Sequence, residues 1–393
     1  MNKPINICHL SEGIAGHNGQ VLGVIKTIKD AGFKVEVEEV KVGWSIGPIR
    51  SILRFITRKL SRFPNKISIR CIQACYSLAP FKDFDIVISS GSNLAPINLA
   101  LAKKYQAKNI HMSSIRDWSV GDFTAYITTT QVSFLPNNLR PKIVPNQFDP
   151  KNCEEQGKAF IEANNLQDQQ YSLLVIGGDG IGYTYSDEEW EIMIRQFISF
   201  CTNANTTPLF ITSRRTPKEL EEKLINEQDS PYSVFYHAEQ RRGKFHHLLY
   251  VANHIFVTED SSTMISEAVS SGKSVISVYP QSIKTPKKYS DIIDKYQRLN
   301  FVERRSLRII QATDSIQDRD ISIAVSKALK DFQTSLMDRL QLDKLANLSV
   351  ASTKAAIFSF SKALCPELGV TINSASGHLP ASSHADSIGQ TTS

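Results

Sequence analysis

The chain has 393 residues, a formal net charge of +6, and a composition of 41% hydrophobic and 21% charged residues. This composition is typical of a soluble globular protein. Because single hydrophobic cores stop growing at roughly 250–300 residues, two domains are expected. No run of about 18 apolar residues is present, which excludes a membrane-spanning helix.

The cysteines and the first residues of the chain predict a cytoplasmic protein. The six cysteines are scattered and include no Cys-x-x-Cys pair, so they are interpreted as reduced thiols without a zinc site. Met1 leads almost directly into an apolar segment at 5–10, which leaves no room for a secretory leader.

The first predicted unit alternates strand, helix and strand, at residues 5–10, 21–31 and 33–40. The loop after the first strand is a ligand-binding position in doubly wound folds. Gly13 and Gly16 allow a tight turn there and the close approach of a substrate. His17 follows at the start of the helix, as a candidate general base or a donor to a phosphate. The alternative is a histidine that only caps its own helix.

The chain contains no acidic residue between Glu39 and Asp83, while basic residues accumulate. The basic residues assigned to a partner surface are Arg50, Arg54, Arg58, Lys59 and Arg62. The three arginines at helical spacing, with apolar residues between them, predict a basic amphipathic helix. Such helices often lie on anionic membranes, and we predict that partner. A solvated basic face is an alternative. A nucleic-acid patch is another, but no RNA-binding or recognition-helix motif supports it, so no nucleic acid is expected.

The rest of the first half contains a second loop of interest and the domain boundary. Gly91, Ser92 and Asn93 follow a predicted strand at 85–90. Further strands are predicted at 107–113, 125–129 and 142–144. Three prolines between residues 141 and 152 predict a linker. We therefore expect domains at 1–148 and 149–330, a helical segment at 331–368 and a disordered tail at 369–393.

The second half restarts with a predicted strand at 172–176 and the loop Gly-Gly-Asp-Gly-Ile-Gly. Gly177 and Gly178 are candidate ligand-binding residues, although the spacing differs from the Gly-x-Gly-x-x-Gly of dinucleotide-binding dehydrogenases. Arg214 and Arg215 follow the next strand, at the strand end where open α/β sheets bind ligands. An arginine there can hold a diphosphate through two hydrogen bonds. The alternative is a surface arginine pair at a helix start.

The stretch from residue 257 to residue 280 predicts a strand, a helix and a second strand. Asp260 or Ser261 is the expected N-cap of the helix. The alternative interpretation of this pattern is an ordinary βαβ unit with a serine-rich cap and no binding role.

The start of that helix, with Asp260 directly before it, is a candidate binding site. Backbone N–H groups and hydroxyls at Ser261, Ser262 and Thr263 provide an anion site at the helix N-terminus. Glu267 lies four residues beyond Thr263 on the same helix face, where it can accept hydrogen bonds from a ribose.

Five segments together resemble one known family: G-I-A-G-H-N-G-Q, V-I-G-G, F-I-T-S-R-R-T-P, V-T-E-D-S-S-T-M-I-S-E-A and the lysine-bearing helix after Pro280. The chain resembles, over about residues 5–305, the family named for the plant mitochondrial-fission (elongated mitochondria) protein, whose many bacterial members are glycosyltransferase-like. The resemblance implies an α/β fold with two Rossmann-like domains facing each other across a cleft, the GT-B architecture.

The resemblance also implies a donor site in the second domain. A nucleotide-diphospho-sugar would bind there, with the serines and threonine at 261–263 at its diphosphate. Arg214 or Arg215 would contact the phosphates, and Glu267 would contact the ribose.

On the acceptor side, the resemblance implies that His17 faces the acceptor. The family's first loop commonly carries Asp-Gly-Arg before Pro-Gly-His, whereas Ser11, Glu12 and Gly13 precede Ile14 here. Glu12 is therefore the candidate for the acidic role in this loop.

These features lead to one predicted function and two alternatives. We predict a metal-independent GT-B glycosyltransferase with the nucleotide sugar as co-substrate and no other cofactor. It would act on a cell-envelope acceptor, lipopolysaccharide or capsule, at the cytoplasmic membrane face. The alternatives on the same scaffold are a non-catalytic membrane-associated adaptor and a nucleotide-sugar epimerase.

Overall fold

The computed structural model describes residues 3–63, 65–78, 83–113, 118–163, 170–226, 233–235, 244–310 and 321–342. These residues belong to one unit that extends from Lys3 to Leu342. The predicted tail at 369–393, and the predicted helical segment beyond residue 342, lie outside the described residues.

Within the described residues, the first half contains these elements in chain order: β1 (Ile5–Ser11), α1 (Ala15–Asp30), β2 (Val35–Trp44), α2 (Arg50–Leu60), α3 (Lys66–Cys75), β3 (Tyr76–Leu78), β4 (Ile86–Ser90), α4 (Ala95–Tyr105), β5 (Lys108–Met112), β6 (Ala125–Ile127) and β7 (Asn138–Leu139).

The described part of the second half continues with α5 (Pro150–Ala163), β8 (Tyr171–Val175), β9 (Tyr183–Thr184), α6 (Asp187–Ala204), β10 (Thr207–Ile211), α7 (Lys218–Asn226), β11 (Ser233–Phe235), α8 (Lys244–Val251), β12 (His254–Thr258), α9 (Ser262–Ser270), β13 (Val275–Tyr279), β14 (Ser282–Ile283), α10 (Lys287–Arg298), β15 (Val302–Ser306) and α11 (Ser322–Leu340).

Each half is built on one sheet. The first has the order β3-β2-β1-β4-β5-β6-β7, and all its strands pair in parallel except β2 and β3. The second has the order β11-β10-β8-β12-β13-β15 and is parallel throughout. In both sheets the strand order reverses beside the first strand, which is where doubly wound sheets bind ligands. The predicted α/β fold with two Rossmann-like domains is confirmed.

The central strands of both sheets carry no charged residue. Strands β4 and β8 are buried over their full length, as expected for parallel strands covered on two sides. In the first sheet Ile7 lies opposite Ile86, and in the second Leu173 lies opposite Ile255. The two cores thus hold the strand ends, and the loops that follow them, in fixed positions.

The predicted strand at 142–144 is wrong. The Val144 N–H donates to the Tyr296 hydroxyl over 2.9 Å and takes part in no strand pairing. The Asn146 side chain donates to the Ser266 carbonyl (3.3 Å) and the Ser270 hydroxyl (2.9 Å). Backbone and side-chain groups of α9 and α10 therefore hold this connection, and α5 begins within the predicted linker.

The last described helix returns to the first half. The Gln333 side chain of α11 donates to the Thr27 carbonyl of α1 over 3.4 Å. Asp331 of the same helix forms an ion pair with Lys142 at 3.2 Å. Helix α11 runs through the expected boundary at residue 330 without interruption.

Candidate functional site

The loops after β1 and β4 bring His17 and Glu12 together at the carboxyl end of the first sheet. His17 Nδ1 lies 2.9 Å from Glu12 Oε1. The Asn93 side-chain amide donates to Glu12 Oε2 over 3.1 Å. The Glu12 side chain is 15% exposed and that of His17 is 35% exposed. The two sequence candidates form one hydrogen-bonded dyad, and Asn93 orients its carboxylate.

The charges and hydrogen bonds around Glu12 and His17 indicate which of the two carries the shared proton. The hydrogen bond from His17 lowers the pKa of Glu12, and the Asn93 bond acts in the same direction while burial opposes both. An ionised carboxylate only accepts hydrogen bonds, so His17 Nδ1 carries the shared proton. In the neutral imidazole, the Nε2 atom of His17 then has the lone pair that a general base needs.

Glycine is required beside the dyad. Gly91 has a φ of +99°, and a Cβ atom there would lie 2.5 Å from Glu12 Oε1 and 2.7 Å from the His17 ring. Gly13, in the turn after β1, has a φ of +78° and no neighbour within 4 Å. Gly91 is therefore needed for both space and conformation, and Gly13 for conformation alone.

In the second sheet, the loops after β8, β10 and β12 converge on Asp260. Its side chain is fully buried, and it accepts hydrogen bonds from the Thr258 hydroxyl (2.7 Å) and the Arg215 guanidinium. Burial raises the pKa of Asp260, and the charge of Arg215 opposes this effect. A Cβ atom on Gly177 would overlap the Asp260 carboxylate, and one on Gly178 would overlap the Arg215 backbone. The predicted glycine loop, arginine and acid thus form one cluster.

The two candidate arginines differ in position. Arg214 is exposed and makes no hydrogen bond or ion pair within the described part of the chain. Arg215 pairs with Asp260 and keeps 34% of its side chain exposed. Its buried Nε has no hydrogen-bond partner among the described residues. Only Arg215 combines a fixed guanidinium with an unused donor.

Helix α9 begins as predicted, with Ser261 rather than Asp260 as its N-cap. The Ser261 hydroxyl accepts a hydrogen bond from the Met264 N–H at 3.4 Å. Ser262 and Thr263 form the first turn, whose N–H groups have no intrahelical partners.

The first turns of α1 and α9 face each other. A Cβ atom on Gly16 would lie 3.7 Å from Thr263 Oγ1, and one on Gly19 would lie 3.9 Å from Thr263 Cγ2. Because His17 follows Gly16 directly, the fold brings the dyad of the first half beside the helix N-terminus of the second half.

Glu267 lies one turn further along α9. Its side chain is 14% exposed, and its Oε2 is 3.8 Å from His246 Nε2 on α8. The Phe148 ring meets His246 edge-on at 5.4 Å between centroids. The ribose-binding role of Glu267 stays a prediction.

Sequence reasoning missed a buried network beneath the second cluster. Glu259 is fully buried and accepts two hydrogen bonds from Arg304, at 2.7 and 2.9 Å. Ser277 and Tyr183 also donate to its carboxylate, at 2.7 and 3.1 Å. The Tyr289 hydroxyl donates to its backbone carbonyl at 2.6 Å. This network fixes the chain directly before the α9 N-cap. In the sequence, the only signal of this network is an acidic residue, Glu259, at the end of an apolar strand.

A family model described as "Mitochondrial fission ELM1" matches residues 15–318. The chain belongs to this family. The resemblance seen in the sequence is thereby confirmed. No curated protein matches the chain.

Solved structures similar to this ELM1-family protein have low sequence identity to it. UDP-GlcNAc 2-epimerase from Methanocaldococcus jannaschii is 10% identical with a TM-score of 0.50, covering 84% of this chain and 100% of that one. Arabidopsis thaliana UGT89C1 complexed with UDP is 12% identical with a TM-score of 0.49, covering 88% and 99%. E. coli ADP-heptose lps heptosyltransferase II is 10% identical with a TM-score of 0.43, covering 85% and 99%. At such identities the likeness concerns the fold alone, which is GT-B glycosyltransferase-like.

Four of the predicted basic residues of this ELM1-family protein lie on α2, and Arg62 follows between α2 and α3. Arg50, Arg54, Lys59 and Arg62 are exposed, and Arg58 is half-buried. Large apolar side chains are exposed among them: Ile52 (57%), Phe55 (62%), Phe63 (75%) and Ile67 (76%). In the described part of the chain, no helix has the length and apolar character needed to cross a membrane.

Carboxylates with metal-ligand spacing occur elsewhere in the first sheet. Asp83 and Asp85 precede β4, at the sheet edge opposite the dyad, and Asp85 accepts the Asn6 N–H over 2.8 Å. Among the described residues, no group of three or more His, Cys, Asp or Glu side chains is placed to hold a metal ion.

Proposed function

We propose that this protein is a glycosyltransferase that transfers a sugar from a nucleotide-diphospho-sugar to an acceptor hydroxyl. The observation that carries this proposal is the meeting of the α1 and α9 first turns, with Gly16 beside Thr263. It places a candidate base from one half next to a candidate anion site from the other. A group-transfer reaction needs this arrangement, because donor and acceptor must meet in one orientation.

On the donor side, the leaving group is a nucleoside diphosphate. The free N–H groups at Ser262 and Thr263 and the exposed part of the Arg215 guanidinium would stabilise its developing negative charge. Asp260 holds Arg215 in place before the donor binds, so little reorganisation is needed during the reaction.

On the acceptor side, His17 Nε2 would take the proton of the acceptor hydroxyl while its oxygen forms a bond to the anomeric carbon. The bond between that carbon and the diphosphate oxygen breaks, and the nucleoside diphosphate leaves with the electron pair. Glu12, 2.9 Å from Nδ1, would stabilise the imidazolium formed.

We further propose that the acceptor is a cell-envelope molecule, such as lipopolysaccharide or capsule, at the cytoplasmic face of the membrane. The support is the α2–α3 surface, where basic side chains surround exposed Phe55 and Phe63. Positive charge attracts anionic headgroups, and apolar side chains enter the boundary between headgroups and acyl chains.

Donor binding is tested by thermal unfolding with a panel of nucleoside diphosphates and nucleotide sugars. A ligand at 100 times its Kd adds about 2.7 kcal/mol to the free energy of unfolding. Arg215→Lys keeps a positive charge opposite Asp260 but loses the planar guanidinium group. It should therefore strongly reduce the rise in unfolding temperature that the nucleotide causes. Arg214→Lys, at the exposed neighbour, should leave it unchanged. No shift in the wild type, or the same loss in both variants, would contradict the donor site.

A nucleotide-sugar epimerase is the second candidate. The solved structure of a UDP-GlcNAc 2-epimerase is similar to this chain with a TM-score of 0.50. Incubation with the nucleotide sugar alone separates the two: an epimerase changes the sugar without any acceptor, and a transferase requires one.

A non-catalytic adaptor is the third candidate, favoured by the exposed apolar surface of α2 and α3. Vesicle binding and cellular function that persist in a triple variant of His17, Arg215 and Glu267 would support it over both enzymes.

A further inference from the structure

Two buried hydroxyls flank the arginine pair after β10. Ser213 and Thr216 have 4% and 7% of their surface exposed. The Ser213 hydroxyl accepts the Arg215 N–H over 3.2 Å and donates to the Gly177 carbonyl over 2.9 Å. Thr216 Oγ1 accepts the Ser213 N–H over 2.8 Å and donates to the Gly177 and Ile176 carbonyls, at 2.8 and 3.0 Å. The backbone on both sides of Arg215 is thereby tied to the glycine loop after β8.

The guanidinium end of Arg215 is tied to the same glycine. The Gly177 N–H donates to the Thr258 hydroxyl over 2.7 Å, and that hydroxyl donates to Asp260 Oδ1 over 2.7 Å. The other carboxylate oxygen of Asp260 accepts from the Arg215 guanidinium. A closed ring of hydrogen bonds therefore starts at the Arg215 backbone and returns to its side chain, by way of Ser213, Gly177, Thr258 and Asp260.

The ring orders the Arg215 side chain in the folded protein itself. Thr258 and Asp260 are fully buried, and a Cβ atom on Gly177 would overlap the Asp260 carboxylate. Ordering a long arginine side chain costs rotamer entropy, and a site that must order it during binding loses affinity. Here the side chain is held before a ligand arrives, while 34% of it stays exposed.

We propose that Ser213 and Thr216 are positioning residues for the donor. They fix Arg215 through Gly177, so that the exposed part of its guanidinium meets the donor diphosphate without rearrangement. This inference rests on the proposed function and adds how the donor site is held. Stabilisation of a leaving group depends on donors that already point at the developing charge. The Thr216 hydroxyl is bonded to backbone groups of the protein, so it acts on the donor only through Arg215.

The test measures the Kd of nucleoside diphosphates by isothermal titration of the full chain. UDP, ADP, GDP and CDP are the probes, and the one that the wild type binds most tightly is used for every variant. Thr216→Val keeps the shape of the side chain but removes the hydroxyl. It should weaken binding about fivefold, as expected for the loss of one hydrogen bond. Ser213→Ala removes the other hydroxyl and should give a similar loss. Thr216→Ser restores the hydroxyl and should stay within about twofold of the wild type.

The matched control is Thr206→Val. Thr206 is 8% exposed, and its Oγ1 lies 2.8 Å from Ser172 Oγ. It directly precedes β10, at the edge of the sheet opposite the site. Each valine variant loses one buried hydroxyl bond, so the urea midpoints of the two should fall by similar amounts. Only Thr216→Val should lose nucleotide affinity.

A double-mutant cycle tests whether Thr216 acts through Arg215. In the Arg215→Lys background, Thr216→Val should change the Kd by less than about twofold, because the guanidinium that the ring orients is already absent. A further fivefold loss there, an unchanged affinity in Thr216→Val, or an equal loss in Thr206→Val overturns the inference and leaves the donor site intact. If the wild type binds none of the nucleoside diphosphates, the donor site fails and the inference fails with it.

Discussion

The two halves hold their charged groups in different ways. In the first, Glu12 and His17 are partly exposed and joined to each other. In the second, Glu259 and Asp260 are fully buried, and each is paired with an arginine. Buried charges are tolerated only when they are paired and hydrogen-bonded. From this comparison we expect that loss of a charge in the second half lowers stability, whereas loss of a charge in the first half mainly affects the proposed reaction.

The largest effect is expected where a buried charge loses its partner. Arg304→Met leaves Glu259 buried without a counter-ion, and should lower the free energy of unfolding by about 3–5 kcal/mol in urea titrations. Arg308→Met is the control, because Arg308 and Glu188 form an exposed pair at 3.9 Å and such pairs contribute about 0–1 kcal/mol. Equal effects of the two substitutions would show that the burial of Glu259 does not decide the loss of stability.

In the first half, displacement of the dyad should reduce reactivity more than stability. The added methyl group of Gly91→Ala must push Glu12 and His17 apart, and a misplacement of about 1 Å costs on the order of 100-fold in rate. The rate of sugar transfer should fall accordingly, while the nucleotide-induced thermal shift stays. Gly32→Ala has a comparable φ of +93° but no neighbour within 4 Å, so it shares the backbone strain alone. A similar loss of rate in Gly32→Ala would contradict the steric explanation.

A buried histidine of the first half, His111, is expected to make the free energy of unfolding depend on pH. Burial lowers the pKa of His111 to about 3, and its Nδ1 lies 2.7 Å from Ser89 Oγ. Below the ordinary value of 6.5, the unfolded chain binds a proton that the folded chain does not. Stability should therefore fall as the pH decreases towards 3, by up to about 1.4 kcal/mol per pH unit.

His111→Gln removes the titrating group, so the urea midpoint should vary less with pH across that window. An unchanged acid slope in His111→Gln would assign the pH dependence to other groups.

The smallest expected effect concerns the α2–α3 surface. Phe55→Ser should weaken binding to anionic vesicles about tenfold, since burial of one large apolar side chain is worth about 1.5–3 kcal/mol. Ile323→Ser is the control, because Ile323 is 80% exposed on α11. Vesicle sedimentation measures both; equal binding of the two variants would show that the surface does not enter the membrane.

The sequence by itself determined the alternation of strands and helices, the glycine turns after β1 and β8, and the helix at Ser262. These features depend on side-chain periodicity and turn chemistry within a few residues, which adjacent positions in the chain express directly. The position of the site residues in loops at the carboxyl ends of the two sheets could also be predicted, because parallel strands place their carboxyl ends together.

Only the tertiary structure decided which residues meet. Asn93 reaches Glu12 across 81 positions of sequence, and Arg304 reaches Glu259 across 45. Arg214 and Arg215 are identical in type and adjacent in sequence, so no local pattern separates them; packing against Asp260 does. The strand expected at 142–144 failed for a related reason, since the Tyr296 hydroxyl, far along the chain, satisfies its backbone instead of a neighbouring strand. Pairings between distant residues depend on the order of the strands and on the packing of the elements between them, which local sequence does not encode.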